Sequence, residues 1–188
     1  EVAENLNKAG YQVSLIEAMN QLLRPFDYDM VQIFHKEFLD HGVNLIVEDS
    51  VVRFEENKVI LSSGKEISTD AVVMAIGVSP ETALAKQAGI TIGETGAIWV
   101  DKNYRTSDPD IYAVGDAIEV YQALTHSATK LSLAGPALKQ ARTVANHIHH
   151  KETVNKGYIG SSAIQVFDYN GASTGLNESL IKALNMKI

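Results

Sequence analysis

A glycine followed by an aspartate, Gly115-Asp116, closes the segment Thr106 to Asp116, which reads TSDPDIYAVGD. Its Ser-Asp-Pro-Asp stretch is turn-forming and leads into a short apolar run, Ile111 to Val114, that reads as a strand. At the carboxyl end of a parallel strand a ligand can approach the backbone, and the missing Cβ of Gly115 lets it come close. Asp116 can then accept charge-assisted hydrogen bonds from the hydroxyls of a polyol or ribose. Alone, a Gly-Asp pair after a strand is only a turn, so the chemistry depends on the elements that surround it.

A second acid stands in a similar place. Tyr11 to Ile16 reads as an apolar strand with Glu17 at its carboxyl end. In a dinucleotide-binding βαβ unit, an acid at the end of the second strand takes the adenosine ribose hydroxyls, roughly 20 residues after the first loop glycine. That count lands upstream of Glu1, so the glycine loop is expected on a preceding segment. A carboxylate at Glu17 favours NADH over NADPH, because a 2′-phosphate would meet a like charge. The run Ala75-Ile76-Gly77-Val78-Ser79-Pro80 ends a strand in Gly then Pro, a tight exit where backbone can lie against a cofactor. Leu131 to Arg142, LSLAGPALKQAR, opens a helix whose amino terminus favours an anion.

The elements that must hold these residues follow from periodicity. Val2 to Ala9 reads as a helix stopped by Gly10. Asp27 is expected to cap a second helix running to His41, with Met30, Phe34 and Phe38 on one face. Val43 to Val47 returns as a strand, giving the helix-strand alternation of a doubly wound α/β fold. A β-rich patch follows, with strands at Ser50 to Phe54, Lys58 to Ser62 and Ala71 to Ile76. A short helix spans Thr82 to Ala88. Ala134, Ala137, Leu138, Ala141, Val144, Ala145 and Ile148 recur at helical spacing as a core stripe, with Pro136 in the first turn. Lys151 to Lys156 reads as a charged linker. A strand at Ala163 to Phe167, a turn at Asn170-Gly171, a further strand and a helix start near Asn177 close the chain.

Composition narrows the function classes. The 188 residues are 45% hydrophobic and 21% charged, with a formal charge of −7. That balance is ordinary for a globular protein able to bury a core, and argues against nucleic acid or an anionic membrane as partner; a small-molecule substrate is the expectation. No signal peptide or membrane-length apolar run is visible, which points to the cytoplasm. Cysteine is absent, so neither a disulfide, a thiolate metal site nor a redox cysteine lies within this stretch. The six histidines show no paired acid or cysteine spacing for a metal, and no metal site is expected.

These motifs together resemble the class I pyridine nucleotide-disulfide oxidoreductases, and within them the coenzyme A-disulfide reductases and NADH oxidases. EVAENL resembles the helix after the NADH glycine loop, IYAVGDA and LAGPALKQAR resemble the flavin motifs, and STGLNE (173–178) resembles the start of the dimerisation domain. The resemblance implies a Rossmann-like FAD/NAD(P)-binding fold followed by the start of an α+β dimerisation domain. It divides the chain into an NADH-binding part (1–80), the end of an FAD domain (81–150), a linker (151–156) and the dimerisation start (157–188). It assigns Thr106, Tyr112, Ala113, Gly115, Asp116 and Ala134 to FAD, and Glu1, Glu17 and Gly77 to NADH. Leu138 stands where the family commonly has an asparagine that can touch coenzyme A.

The implied reaction passes a hydride from NADH through FAD to a redox cysteine upstream, then to a disulfide, peroxide or oxygen. The parent is expected to be a homodimer, and this stretch alone is expected to be inactive. Two other readings stand beside it: a non-catalytic nucleotide-binding and dimerisation portion, and an NADH:FAD electron-transfer enzyme of the ferredoxin or rubredoxin reductase kind.

Overall fold

The structure, a computed structural model, describes residues 1–186. In chain order its elements are α1 (Val2–Lys8), β1 (Ser14–Ile16), α2 (Tyr28–Asp40), β2 (Asn44–Ile46), β3 (Val51–Glu55), β4 (Lys58–Leu61) and β5 (Glu66–Ser68). There follow α3 (Ala83–Gln87), a 3-10 turn (Gly115–Ala117), β6 (Val120–Gln122), β7 (Ser127–Thr129), α4 (Ala134–Ile148), β8 (Ser161–Val166), β9 (Tyr169–Thr174) and α5 (Glu178–Ala183). Two compact units result, residues 1–75 with 161–188 and residues 76–160. The last two residues of the 157–188 segment lie outside the described residues.

In the first unit β1 and β2 pair in parallel, Ser14 with Asn44 through Ile16 with Ile46, and α2 connects them. This is the βαβ arrangement that the alternation of periods implies. Gly10 ends α1 with a φ of 90°, a left-handed stop that suits glycine. The inward stripe of α2 includes Val31, Phe34, His35 and Phe38. Met30 was expected there but is 54% exposed, because it lies at the edge of that stripe by helical period. Asp27 holds the N-cap position without a side-chain cap bond. Its Oδ1 instead accepts the Glu178 N–H at 2.8 Å, tying the start of α2 to the start of α5. Asn177 does cap α5, accepting the Leu180 N–H at 2.9 Å.

The core of this unit gathers Leu22, Phe26, Val31, Phe34, Phe38 and Val43 with Val166 and Phe167 from the β8–β9 hairpin. Phe26 meets Phe34 edge-on, as Phe38 meets Phe167, each with ring centroids 5.7 Å apart. The hairpin turns at Phe167-Asp168, and Asn170-Gly171, expected to be the turn, lie inside β9. Gly171 is needed for space: a Cβ there would stand 2.6 Å from Phe34 Cζ and 2.9 Å from Phe26 Cε1.

β3, β4 and β5 form an antiparallel meander. Its third strand was expected at Ala71 to Ile76 and falls on Glu66–Ser68 instead. Residues 71–76 find no ladder partner among the described residues, and Val73 and Ile76 are 59% and 86% exposed. An apolar run becomes a strand only where a neighbour takes its N–H and C=O groups.

Asp49 links this meander to β2. Its carboxylate accepts the hydroxyls of Ser62 (2.6 Å) and Ser63 (2.5 Å) and the amides of Ser50 and Ser63. These donors, the Ser62 and Ser63 hydroxyls above all, hold its pKa at about 2, below the ordinary 3.8. Because the folded value is depressed, the stabilisation is fully present above pH 3.8 and is lost as pH falls through 2. The urea midpoint of the wild type should therefore fall between those values. Asp49→Asn should start lower and lose less over the same interval.

The second unit is built around Tyr104, Ile118 and Val120, with Ile98, Val100, Ala113, Leu131, Val144 and Tyr158 packed against them. The Tyr104 and Tyr158 hydroxyls share a hydrogen bond of 2.7 Å. Burial, with that bond, pushes the Tyr104 hydroxyl well above its usual pKa. Among the described residues Ile111 to Val114, expected as a strand, forms a single antiparallel bridge, Tyr112 with Arg105. It then enters the 3-10 turn at Gly115. In α4 only part of the expected apolar stripe meets the core: Val144 packs on it, while Ala141 and Ala145 are exposed. Leu138 and Ile148 are 62% and 54% exposed, while Gln140 is fully buried and Thr143 nearly so. Gln140 turns inward because it satisfies a backbone donor of the 3-10 turn, as the site geometry shows.

Candidate functional site

The segment 106–116 is held by its own turn. Thr106 is buried; its Oγ1 donates to the Asp108 carbonyl and accepts the Asp108 N–H, both at 3.1 Å, while its N–H donates to the Ile111 carbonyl. Ala113 donates its N–H to the Tyr104 carbonyl at 3.0 Å and packs on the unit's core. The chain therefore reaches Gly115 from a fixed direction. Gly115 has a φ of 84°, and a Cβ built on it would meet nothing within 4 Å. Conformation requires the glycine here, and one side of it is open.

Asp116 follows with its side chain exposed, and no hydrogen bond engages its carboxylate among the described residues. Behind the turn, the Gly115 N–H donates to Gln140 Oε1 at 2.6 Å. Gln140 Nε2 is buried without a hydrogen-bond partner among the described residues. Tyr112 Oη shares a 2.7 Å hydrogen bond with His147 Nδ1 in the last turn of the same helix. Ala134 is the exposed first residue of α4. The amides of Ala134 and Gly135 lie in the first turn, where a helix leaves N–H groups without intrahelical acceptors.

All six residues assigned to FAD by resemblance thus fall in one unit, around one turn and one helix. Gln140 and His147 were not singled out for this site from the sequence. Their seven-residue spacing on α4 was the available signal, since it puts both on the face that meets the turn. Leu138 points away, into solvent.

Glu17 sits directly after β1. Its N–H donates to the Ile46 carbonyl at 2.9 Å, and its Oε1 accepts the Met19 N–H at 2.8 Å. The carboxylate is half-buried at the carboxyl edge of the parallel pair. The Asp49 N–H donates to the Glu17 carbonyl at 3.3 Å, so the serine-bound Asp49 also steadies the acid. Glu1 is exposed at the start of α1 and borders an open depression along the β8–β9 hairpin. Gly77 has a φ of 95°, is exposed, and belongs to the other unit.

One cluster has metal-ligand spacing that the histidine pattern did not suggest. Glu37, His41 and Asp168 bring potential ligand atoms within 4.8 Å of one another. These groups already engage each other and the fold. His41 Nδ1 lies 2.9 Å from the Glu37 carbonyl, its ring stacks on Phe167 at 3.8 Å, and Glu37 Oε1 accepts the Asp168 N–H at 3.5 Å. The trio serves as a clasp between α2 and the hairpin turn. His35 is likewise structural: its Nε2 accepts the Leu22 N–H at 3.1 Å, and burial lowers its pKa. No helix among the described residues is long and apolar enough to cross a membrane.

Comparison with known proteins places this geometry in context. Residues 1–141 match the family model described as pyridine nucleotide-disulphide oxidoreductase. The chain is 33% identical over 184 residues to the NAD(P)H sulfur oxidoreductase (CoA-dependent) of Pyrococcus abyssi, covering 95% of this chain and 41% of that protein. The crystal structure of reduced CoADR-RHD from Bacillus anthracis superposes with a TM-score of 0.95 at 45% identity, over 98% of this chain and 34% of that one. The water-forming NADH oxidase of Lactobacillus brevis, bound to NADH, gives a TM-score of 0.90 at 29% identity, over 98% of this chain and 42% of that one. The chain thus spans less than half the length of each of these three proteins.

Proposed function

The chain belongs to the pyridine nucleotide-disulphide oxidoreductase family, and from that premise we propose that it supplies cofactor-holding parts of an NADH-dependent flavoprotein oxidoreductase. The observation that carries this reading is the Gly115-Asp116 turn: an open left-handed glycine followed by an exposed carboxylate without a hydrogen-bond partner among the described residues. FAD fits those residues. The open side of Gly115 admits a ligand against the backbone, and the Asp116 carboxylate accepts from ribityl hydroxyls. Ala134, at the amino terminus of α4, offers unpaired amides to the electron-rich end of the ring. Thr106, Tyr112 and Ala113 fix the approach to the turn.

FAD held by these residues would supply two-electron chemistry, taking up a hydride from NADH and handing two electrons on to the acceptor. The role of this chain is to bind and orient. Glu17 accepts from the adenosine ribose hydroxyls of NADH and repels a 2′-phosphate. Glu1 and Gly77 are assigned to NADH by the family resemblance alone. Cysteine is absent from the 188 residues, so the thiol that receives the electrons is assigned to a different part of the protein. We place coenzyme A disulfide, sulfur species, peroxide and oxygen in one acceptor class; sulfur reduction and water-forming NADH oxidation are activities named for relatives. We assign the β8–β9 hairpin and α5 to the start of a dimerisation module. The same absence of cysteine favours a second reading, in which the 188 residues by themselves bind nucleotides without turning over.

The test is a titration of the full-length protein with NADH and NADPH. Wild type should prefer NADH. Glu17→Ala should weaken NADH about tenfold, the effect of losing a charge-assisted pair of hydrogen bonds, and should narrow the preference. An unchanged ratio of the two dissociation constants would remove Glu17 from the site.

A further inference from the structure

We propose that Gln140 is a positioning residue of the FAD site, holding the Gly115-Asp116 turn in its ligand-accepting conformation; the inference rests on the flavin reading above. The Gly115 peptide turns away from any ladder at a φ of 84°, so its N–H has no strand to donate to. Gln140 supplies the acceptor, Oε1 at 2.6 Å. The donor at Gly115 also settles the orientation of the amide, since only the oxygen can face an N–H. Nε2 is thereby directed to the other side, where it is fully buried and has no acceptor among the described residues.

This is an unfavourable residue to bury for packing alone. An apolar side chain of similar volume would fill the same space on α4 without stranding Nε2, but it would leave the Gly115 N–H without its acceptor. The exposed Leu138 and Ile148 show that the helix has such residues and turns them outward. The gain that keeps the amide inside is the hydrogen bond to Gly115. That bond fixes the plane of the Val114–Gly115 peptide, and through Gly115 the course of the chain into Asp116. Without it the Val114–Gly115 peptide loses its side-chain anchor, leaving the turn held by the long Ile118 N–H bond to the Gly115 carbonyl at 3.4 Å, and Asp116 loses its preset aim.

Three forms of the full-length protein test this: wild type, Gln140→Leu and Gln140→Glu. Each is stripped of flavin and titrated with FAD by fluorescence quenching, and the thermal midpoint of each apoprotein is recorded alongside. Gln140→Leu should bind FAD about tenfold more weakly, the loss of one ordering hydrogen bond to the turn. Its apo midpoint should stay close to wild type, because removing the buried unpaired Nε2 offsets the loss of an acceptor for the half-buried Gly115 N–H. Gln140→Glu retains an acceptor for Gly115 and should regain affinity relative to wild type as pH falls and its buried carboxyl becomes neutral.

Equal affinity in wild type and Gln140→Leu would overturn the assignment, as would an affinity loss matched by a lower apo midpoint. If the leucine variant does not fold, the pH-dependent recovery of Gln140→Glu decides, and its absence overturns the assignment. A wild type that binds no FAD would refute the flavin reading and this inference with it. A wild type that binds FAD indifferently to residue 140 would refute this inference alone.

Discussion

Asp116→Ala in the full-length protein is expected to bind FAD about 100-fold more weakly than wild type, with its urea midpoint unchanged. The affinity loss follows from removing a carboxylate that accepts two hydroxyls, each charge-assisted bond being worth about one factor of ten. The unchanged midpoint follows from the structure: the side chain is exposed and no hydrogen bond within the described residues uses it. Asp116→Asn keeps an acceptor without the charge and should fall between the two. Equilibrium FAD titration of the apoproteins, beside their unfolding curves, checks both halves. A variant that lost stability and flavin together would place Asp116 in the fold instead of the site.

Gly171→Val should show the opposite signature. A Cβ at this position meets Phe34 and Phe26, both buried and packed edge-on in the core of the first unit. The valine would force both rings off their packed positions, at about 3 kcal/mol for overpacking of this kind. Urea unfolding of the variant should show a lower midpoint with an unchanged slope. The Asp116-centred site, built wholly in the other unit, should keep its FAD affinity under conditions where the variant is folded. A valine variant as stable as wild type would mean that the hairpin does not pack on α2 as described.

The parts of the fold that could be read from the sequence are those decided by local chemistry. Gly10 stops α1 and Asn177 caps α5 because each choice involves a few neighbouring residues. The alternation of β1, α2 and β2 was visible in the apolar period. Pairing was not: Ala71 to Ile76 is the more apolar run, yet Glu66–Ser68 is the segment within reach of β4. Asn170-Gly171 has turn chemistry, but Gly171 serves the space beneath Phe34, and Phe167 takes the positive φ of the turn, at 48°. The Glu37, His41 and Asp168 clasp joins residues 131 positions apart, beyond any spacing rule.

The candidate site divides along the same line. Gly115 and Asp116 announce themselves as a pair, since an open glycine and a free carboxylate are needed at adjacent positions. Gln140 does not, because its role exists only when α4 lies against the turn. A helix read by apolar period was expected to bury Leu138 and Ile148, and instead buries an amide that a backbone N–H requires. Polar satisfaction outweighed the apolar stripe.

The visible spectrum of the purified full-length protein, before and after anaerobic NADH, tests the central claim most directly. The account predicts bound flavin at about one per chain and bleaching of its absorbance band by NADH in preference to NADPH. A colourless protein that cannot be loaded with FAD, or a bound flavin that neither nucleotide reduces, would contradict it.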